Sequence, residues 1–245
     1  MKETLEEDVK HVEYIFSIPN ESVKIPPMHV RIVERNAFDN TYPEEKKIRR
    51  NIGKRVLDVT VSLIVVIFIL PWMFALIGIL IKLESKGPIL FKQLRSGSRN
   101  KPFWCFKFRT MFLNDQSDLI QATRGDKRIT KIGSFLRKSS IDEFPQFINV
   151  LKGDMSLVGP RPHMPKLDEI YAPQIDKYSK RLAVKQGLTG WAQVNGFRGE
   201  TNDLMFMQKR IEHDLWYVEN WSIWLDIKII FRTLFLFFRE DQYAY

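Results

Sequence analysis

The stretch "SSIDEFPQFINVLKGDMSLVGPRP", residues 139–162, places Asp142 beside Glu143 in a chain of 245 residues with a formal net charge of +9. An acid pair in a basic chain admits two readings. The first is local. Pro145 fits a helix only within its first turn, so a helix is expected to start near residues 140–143. Ser140 and Glu143 then stand at capping-box spacing, and Asp142 is itself an N-cap candidate. The second is chemical. A helix N-terminus favours ionised carboxylates, and an ionised Asp is a competent nucleophile toward phosphorus. A Glu beside it can hold Mg²⁺, which uses one or two carboxylates plus substrate phosphates. The metal would offset the repulsion between an anionic nucleophile and an anionic diphosphate. Local sequence does not choose between the two.

Cations lie at suggestive places. Lys107 and Arg109 alternate with Phe106 and Phe108 in "FKFRT", so on a strand they face one side together. Arg161 sits in "GPRP" and Arg198 in "NGFRGE". The planar fork of Arg suits phosphate. Singly, each reads as a solvated surface charge; together, around Gly/Pro loops, they outline a diphosphate site. Asp203 and Asp214 are acids without an assigned task. His11, His29, His163 and His213 show no metal-ligand spacing, and no Walker A or dinucleotide fingerprint is present. There is no Gly-x-Ser-x-Gly elbow. The single Cys105 cannot form an internal disulfide, which fits a reducing compartment. The positive charge points to anionic partners: nucleic acid, phosphorylated substrates or acidic lipid.

These residues need elements to hold them. From Val59 to Ile81 the chain reads "VTVSLIVVIFILPWMFALIGILI", without a charge. That is long enough for a bilayer core, and a soluble core helix is rarely apolar all round at this length. Pro71 predicts a kink. Lys54 and Arg55 precede the segment, and Lys82 and Lys86 follow it, so the positive-inside rule gives no orientation. A helix that enters and leaves by one face keeps both basic flanks on the same side, which favours re-entry over crossing. "PILFKQ" and "PFWCFKFRTM" read as two strands joined by "RSGSRNK". Helices are expected near 143–151 and 165–180, and Trp191 reads as packing. The fold class is therefore α/β with few strands. In the tail, Ile223, Ile227, Ile230, Phe231, Leu234 and Phe238 recur at helical spacing, with Asp226, Lys228 and Arg232 off the stripe. Such a helix could lie in a bilayer interface or pack on the protein core. Residues 1–53 read as a polar extension without a signal peptide.

Several segments, in order over about residues 54–235, resemble one family, the bacterial sugar transferases, which are monotopic polyprenyl-phosphate phosphoglycosyl transferases. They are "KRVLDVTVSLIVVIFILPWMFALIGILIKLESKGPILFKQ", "FKFRTM", "KIGSFLRKSSIDEFPQFINVLKGDMSLVGPRP", "QGLTGWAQVNG" and "DLWYVENWSIWLDIKII". The resemblance implies a small membrane-associated α/β catalytic domain. It would have a re-entrant, Pro-kinked membrane helix over 54–86, a cytosolic catalytic part over 87–240 and a C-terminal interfacial amphipathic helix. It implies transfer of a sugar 1-phosphate from a UDP-sugar to undecaprenyl phosphate at the cytoplasmic face of the bacterial inner membrane, with UMP leaving. It implies Asp142 as the nucleophile of a covalent phosphosugar intermediate and Glu143 as the Mg²⁺ ligand. Lys107, Arg161, Arg198 and Asp214 match family positions needed for activity. The membrane helix of the family breaks near a Ser-Pro pair, whereas this chain has Leu70-Pro71. "NGFRGET" resembles the branch that transfers glucose 1-phosphate. Nucleic acid is not expected as a partner, and a homo-oligomer is left open. The readings that remain beside this one are a non-catalytic membrane module that binds polyanions and a phosphatase-like enzyme that hydrolyses the same intermediate.

Overall fold

A computed structural model describes residue 48 and residues 51–114, 122–123, 125–199 and 203–238. The extension read for residues 1–53 lies almost wholly outside the described residues. Helix α1 (Ile52–Ile64) opens at Asn51, whose side chain accepts the Lys54 amide at 2.9 Å. A π turn over Val65–Ile69 leads into α2 (Leu70–Glu84), and the whole run Ile52–Glu84 is one continuous helix. Pro71 explains the π turn. Proline lacks an amide hydrogen and crowds the turn before it. The Leu70 amide bonds to the Val65 carbonyl, five residues back, and this wider turn relieves the crowding without breaking the helix. The irregularity expected at Pro71 is thus a π turn.

The run is long and apolar enough to cross a membrane. At 1.5 Å per residue it is ~50 Å long. Yet both of its ends are bonded to the same body. Near the start, Lys54 Nζ donates to the Val158 carbonyl at 2.9 Å, to Tyr217 Oη at 3.1 Å and to Asp226 Oδ2 at 2.7 Å. One turn on, Asp58 accepts from Ser156 Oγ and the Leu157 amide. Arg55 donates to the Val150 and Leu151 carbonyls. At the far end, Glu84 accepts from the Lys131 and Ile132 amides at 2.6 and 2.9 Å. Between the ends, Phe68, Trp72, Leu76 and Leu83 stand exposed.

The body is mixed α/β. Strands β1 (Leu90–Ser96) and β2 (Pro102–Phe108) form the expected antiparallel hairpin, with Leu90 opposite Phe108 and Ser96 opposite Pro102. Then come α3 (Lys131–Lys138), α4 (Gln146–Lys152), β3 (Ser156–Val158) and α5 (Pro165–Tyr171). β4 (Gly187–Thr189) pairs in parallel with β3, and α6 (Trp191–Val194), α7 (Leu204–Glu219) and α8 (Ile223–Phe238) follow. The main core joins Phe103, Cys105, Val150, Leu157, Tyr217, Trp221 and Ile229. A second cluster packs Leu70, Ile77 and Ile81 of α2 on Phe108 and Leu136. Trp191 stacks on Trp216 at 4.7 Å, the packing role expected for it.

Two expectations are corrected. The helix expected over 165–180 stops at Tyr171, and a 3₁₀ turn covers Tyr178–Ala183. Ala172 still takes helical dihedrals as the C-cap, but Pro173 after it has no amide to carry the helix on. On α8, Asp226 is not on a solvent face. It is fully buried, bonded to Lys54, Tyr217 and Trp221, and Ile229 beside it is in the core. Trp224, Phe231, Leu234 and Phe235 are the exposed apolar residues, so α8 is apolar on its outer side as well as its inner one.

Candidate active site

Close contact sets the approach to the acid pair. Thr130 caps α3 by accepting the Gly133 amide at 2.9 Å. Gly133 sits so near the Thr110 carbonyl that any Cβ would overlap it, which lays α3 against the end of β2. Ser140 then takes a left-handed backbone, φ 55°, and turns the chain into a 3₁₀ turn over Ile141–Glu143. Pro145 stands immediately before α4, as its missing amide requires. The capping box is not formed. Ser140 Oγ accepts from Arg198 Nη2 at 2.5 Å, and no side chain caps the 3₁₀ turn or α4. The two carboxylates face a cavity instead.

That cavity has a volume of about 230 Å³. Lys107, Arg95, Arg109, Arg137, Arg161, Arg198 and Arg210 line it, seven cations against the two carboxylates. Asp142 and Glu143 are both buried, 7% and 8% exposed, yet their surroundings differ. Glu143 Oε1 accepts from Lys107 Nζ at 2.8 Å and from Arg161 Nη2 at 2.7 Å, and Oε2 faces Arg161 Nη1 at 3.3 Å. Burial opposes its charge, but Arg161 and Lys107 overcome that and hold its carboxyl well below the usual range. The Asp142 carboxylate has no hydrogen-bond partner among the described residues. Burial pushes its carboxyl up, the Glu143 charge adds to this, and Lys107 works against it. One acid is clamped and the other is free.

The other site expectations divide. Lys107, Arg161 and Arg198 meet the acid pair in the cavity. Arg109 lines it too, but its two terminal nitrogens donate to the Lys86 and Ser85 carbonyls at 2.5 and 2.8 Å, closing the end of α2. Asp214, a substrate-binding candidate by its match to a family position needed for activity, does not line the cavity. It is buried behind the wall in an ion pair with Arg181, 3.0 Å from Nε. Sequence reasoning missed Arg95, Arg137, Arg181 and Arg210. Arg210 holds the Arg198 loop by donating to the Phe197 and Gly199 carbonyls, and burial lowers its pKa to about 10. The one usable signal was Arg137, which lies in the same short segment as the acid pair.

A second, apolar cavity of about 370 Å³ opens beside the first. Val61, Val65 and Ile69 of the long helix wall one side, and Ile230, Leu234 and Leu236 of α8 wall another. Glu143 and Arg198 line both cavities.

Among the described residues, no three or more His, Cys, Asp or Glu side chains cluster as a metal cage. The donors present nonetheless suit Mg²⁺ shared with a substrate. Asp142 has no protein partner among the described residues, and Glu143 Oε2 carries only the longer Arg161 contact.

The fold is thus an α/β body that carries one helix long and apolar enough to cross a membrane and closes a cationic cavity on a carboxylate pair. The chain belongs to the bacterial sugar transferase family, whose model matches residues 49–240. It is 51% identical over 183 residues to the UDP-glucose:undecaprenyl-phosphate glucose-1-phosphate transferase of Klebsiella pneumoniae, covering 74% of this chain and 39% of that protein. A protein of the same name from Caulobacter vibrioides is 46% identical over 189 residues, 77% of this chain and 70% of that one. The UDP-N-acetylgalactosamine-undecaprenyl-phosphate N-acetylgalactosaminephosphotransferase of Aeromonas hydrophila is 43% identical over 183 residues, 74% of this chain and 42% of that one. The chain thus spans well under half the length of several relatives it matches.

Proposed function

We propose that this chain transfers a sugar 1-phosphate from a UDP-sugar to undecaprenyl phosphate in two steps through Asp142, initiating exopolysaccharide or other glycoconjugate assembly. The observation that carries this reading is the Asp142 carboxylate, without a hydrogen-bond partner among the described residues, beside the clamped Glu143 in a cavity lined by seven cations. Asp142 Oδ attacks the sugar-bearing phosphorus. The bond from that phosphorus to the bridging diphosphate oxygen breaks, and UMP leaves with that oxygen and its electron pair. An oxygen of the acceptor phosphate then attacks the same phosphorus, and the bond to Asp142 breaks. The acceptor phosphate is already ionised, so neither step needs a proton. Lys107, Arg161 and Arg198 hold the diphosphate and stabilise charge on the leaving UMP. Mg²⁺ held by Glu143, with Asp142 adjacent, would neutralise diphosphate charge during attack.

The apolar cavity supports a lipid acceptor. It runs between the long helix and α8 and meets the polar cavity at Glu143 and Arg198. Re-entry of the long helix is supported by its two ends, since Lys54 and Glu84 bond to one body. An interfacial α8 is supported by exposed Trp224, Phe231 and Phe235. Both features support a catalytic part seated on one face of the membrane, and the proposed face is the cytoplasmic face of the inner membrane. Glucose is the proposed sugar, on the 51% identity to a glucose-1-phosphate transferase and the "NGFRGET" segment. Purified protein with Mg²⁺ and undecaprenyl phosphate should release UMP from UDP-glucose faster than from UDP-N-acetylgalactosamine. Equal or reversed rates would reject glucose, and no UMP from any UDP-sugar would reject the reaction.

A further inference from the structure

We infer that Asp214 and Arg181 form a positioning pair that sets Arg161, and through it Glu143, from behind the cavity wall. The inference rests on the proposed reaction for its kinetic readout. Arg181 is fully buried, and so is nearly all of Asp214. A guanidinium taken out of water is costly unless it is paired and its hydrogens are satisfied. Arg181 Nε meets Asp214 Oδ2 at 3.0 Å, and Nη1 lies 3.8 Å from Asp168 Oδ1. Its Nη2 donates to the carbonyl of Arg161.

That bond is one of three in a row. The Pro162 carbonyl accepts from Arg95 Nη1 at 3.2 Å, and the His163 carbonyl accepts from the Ser96 amide at 3.0 Å. The His163 ring is fixed as well. Tyr178 Oη lies 2.7 Å from His163 Nδ1 and donates to Asp168 Oδ1 at 2.6 Å. Burial, with the nearby Arg181 charge, lowers the His163 pKa to about 3, so the ring is neutral and its bonds do not change near neutral pH. The backbone of 161–163 is therefore held at every carbonyl, while the Arg161 side chain reaches forward to both oxygens of Glu143. Asp214 does not line the cavity. Its carboxylate aligns Arg181, Arg181 holds the Arg161 carbonyl, and Arg161 clamps Glu143.

A double-mutant cycle separates this from a direct role. Asp214→Asn alone should lower kcat for UMP release by about tenfold or more, yet by less than about threefold in an Arg161→Lys background. KM for the UDP-sugar should change little. An equal loss in both backgrounds, or a loss seen as a rise in KM, would overturn the inference. If Asp214→Asn does not fold, Arg181→Lys serves in the same cycle with the same two outcomes. A second arm needs no activity. Hydrogen exchange in the peptide spanning 156–164 should rise in Asp214→Asn and stay at the wild-type level in Asp203→Ala, which removes the α7 cap. Unchanged exchange in Asp214→Asn would also overturn it. Absence of UMP from the wild-type protein would instead count against the reaction itself and leave the exchange arm to decide the positioning role.

Discussion

Asp142 and Glu143 share one turn, one cavity and nearly the same burial, yet their carboxyls are driven in opposite directions. For Asp142 the folded pKa lies above the unfolded value. The folded state then binds more protons between the two, so its contribution to stability is lost as pH rises through the folded pKa. Asp142→Asn should therefore abolish UMP release while leaving Tm at pH 7.5 equal to or above wild type, by about 2–4 °C for each kcal/mol relieved. A melting curve beside the activity assay checks both. Glu143 has the reverse sign: its folded pKa is depressed, so its stabilisation is present above the unfolded pKa and lost as pH falls through the folded one. Glu143→Gln leaves Lys107 and Arg161 without their shared carboxylate and should cost about 1–3 kcal/mol, read as a lower Tm. It should also raise the Mg²⁺ needed for half-maximal rate, and an unchanged Mg²⁺ requirement would take Glu143 out of the metal site. The acid pair, Arg161 and Arg198 were legible because odd backbone chemistry flags them, Pro145 after the pair and Gly or Pro around the two arginines, and Lys107 because it alternates with Phe106 and Phe108 on a strand. Arg95, Arg137, Arg181 and Arg210 were not. Each lies in or beside a regular element, where a partnered Arg and a solvated one look alike until the fold supplies Asp214, the Thr110 hydroxyl or a loop carbonyl as partner; only Arg137, close to the acid pair in sequence, carried a signal.

The long helix is an element whose ends say more than its middle. A crossing helix would carry Lys54 and Glu84 to opposite sides of the bilayer, but both bond to one body. Single cysteines at Ile52→Cys and Lys86→Cys should accordingly be labelled from the cytoplasmic side alone in inverted and right-side-out vesicles. The native Cys105 is buried and should stay silent. Labelling of the two positions from opposite sides would establish crossing. On α8, Trp224→Asp with Phe231→Asp removes exposed apolar surface. It should weaken liposome association measurably while leaving Tm near wild type; a large drop in Tm with unchanged association would mark α8 as a core helix only. At this scale the hairpin and the start of α4 were readable, since alternation and Pro145 are local signals. The end of α5 also had a local signal, Pro173, outweighed by the helical pattern around it. The faces of α8 had none. Asp226 reads as polar and outward by periodicity, and only Lys54, 172 residues away, explains why it is buried.

At the scale of the whole molecule, two cavities of different chemistry meet at Glu143 and Arg198. The polar one suits a soluble anionic donor, and the apolar one, walled by the long helix and α8, suits the proposed lipid acceptor. Asp142, the proposed nucleophile, lines the polar cavity next to Glu143 at that junction, an arrangement in which the two substrates could be used in turn, as the proposed two-step transfer requires. None of this convergence is visible in the sequence, because it joins residues 61–69, 140–144, 188–198 and 230–236 through packing alone. The most direct measurement omits the acceptor. Wild-type protein mixed with Mg²⁺ and a UDP-sugar that supports turnover, without undecaprenyl phosphate, should release UMP up to one equivalent. Intact and peptide mass spectra should place one sugar phosphate on Asp142, and Asp142→Asn should show neither. UMP release that requires the acceptor, or an adduct on any residue other than Asp142, would contradict the account.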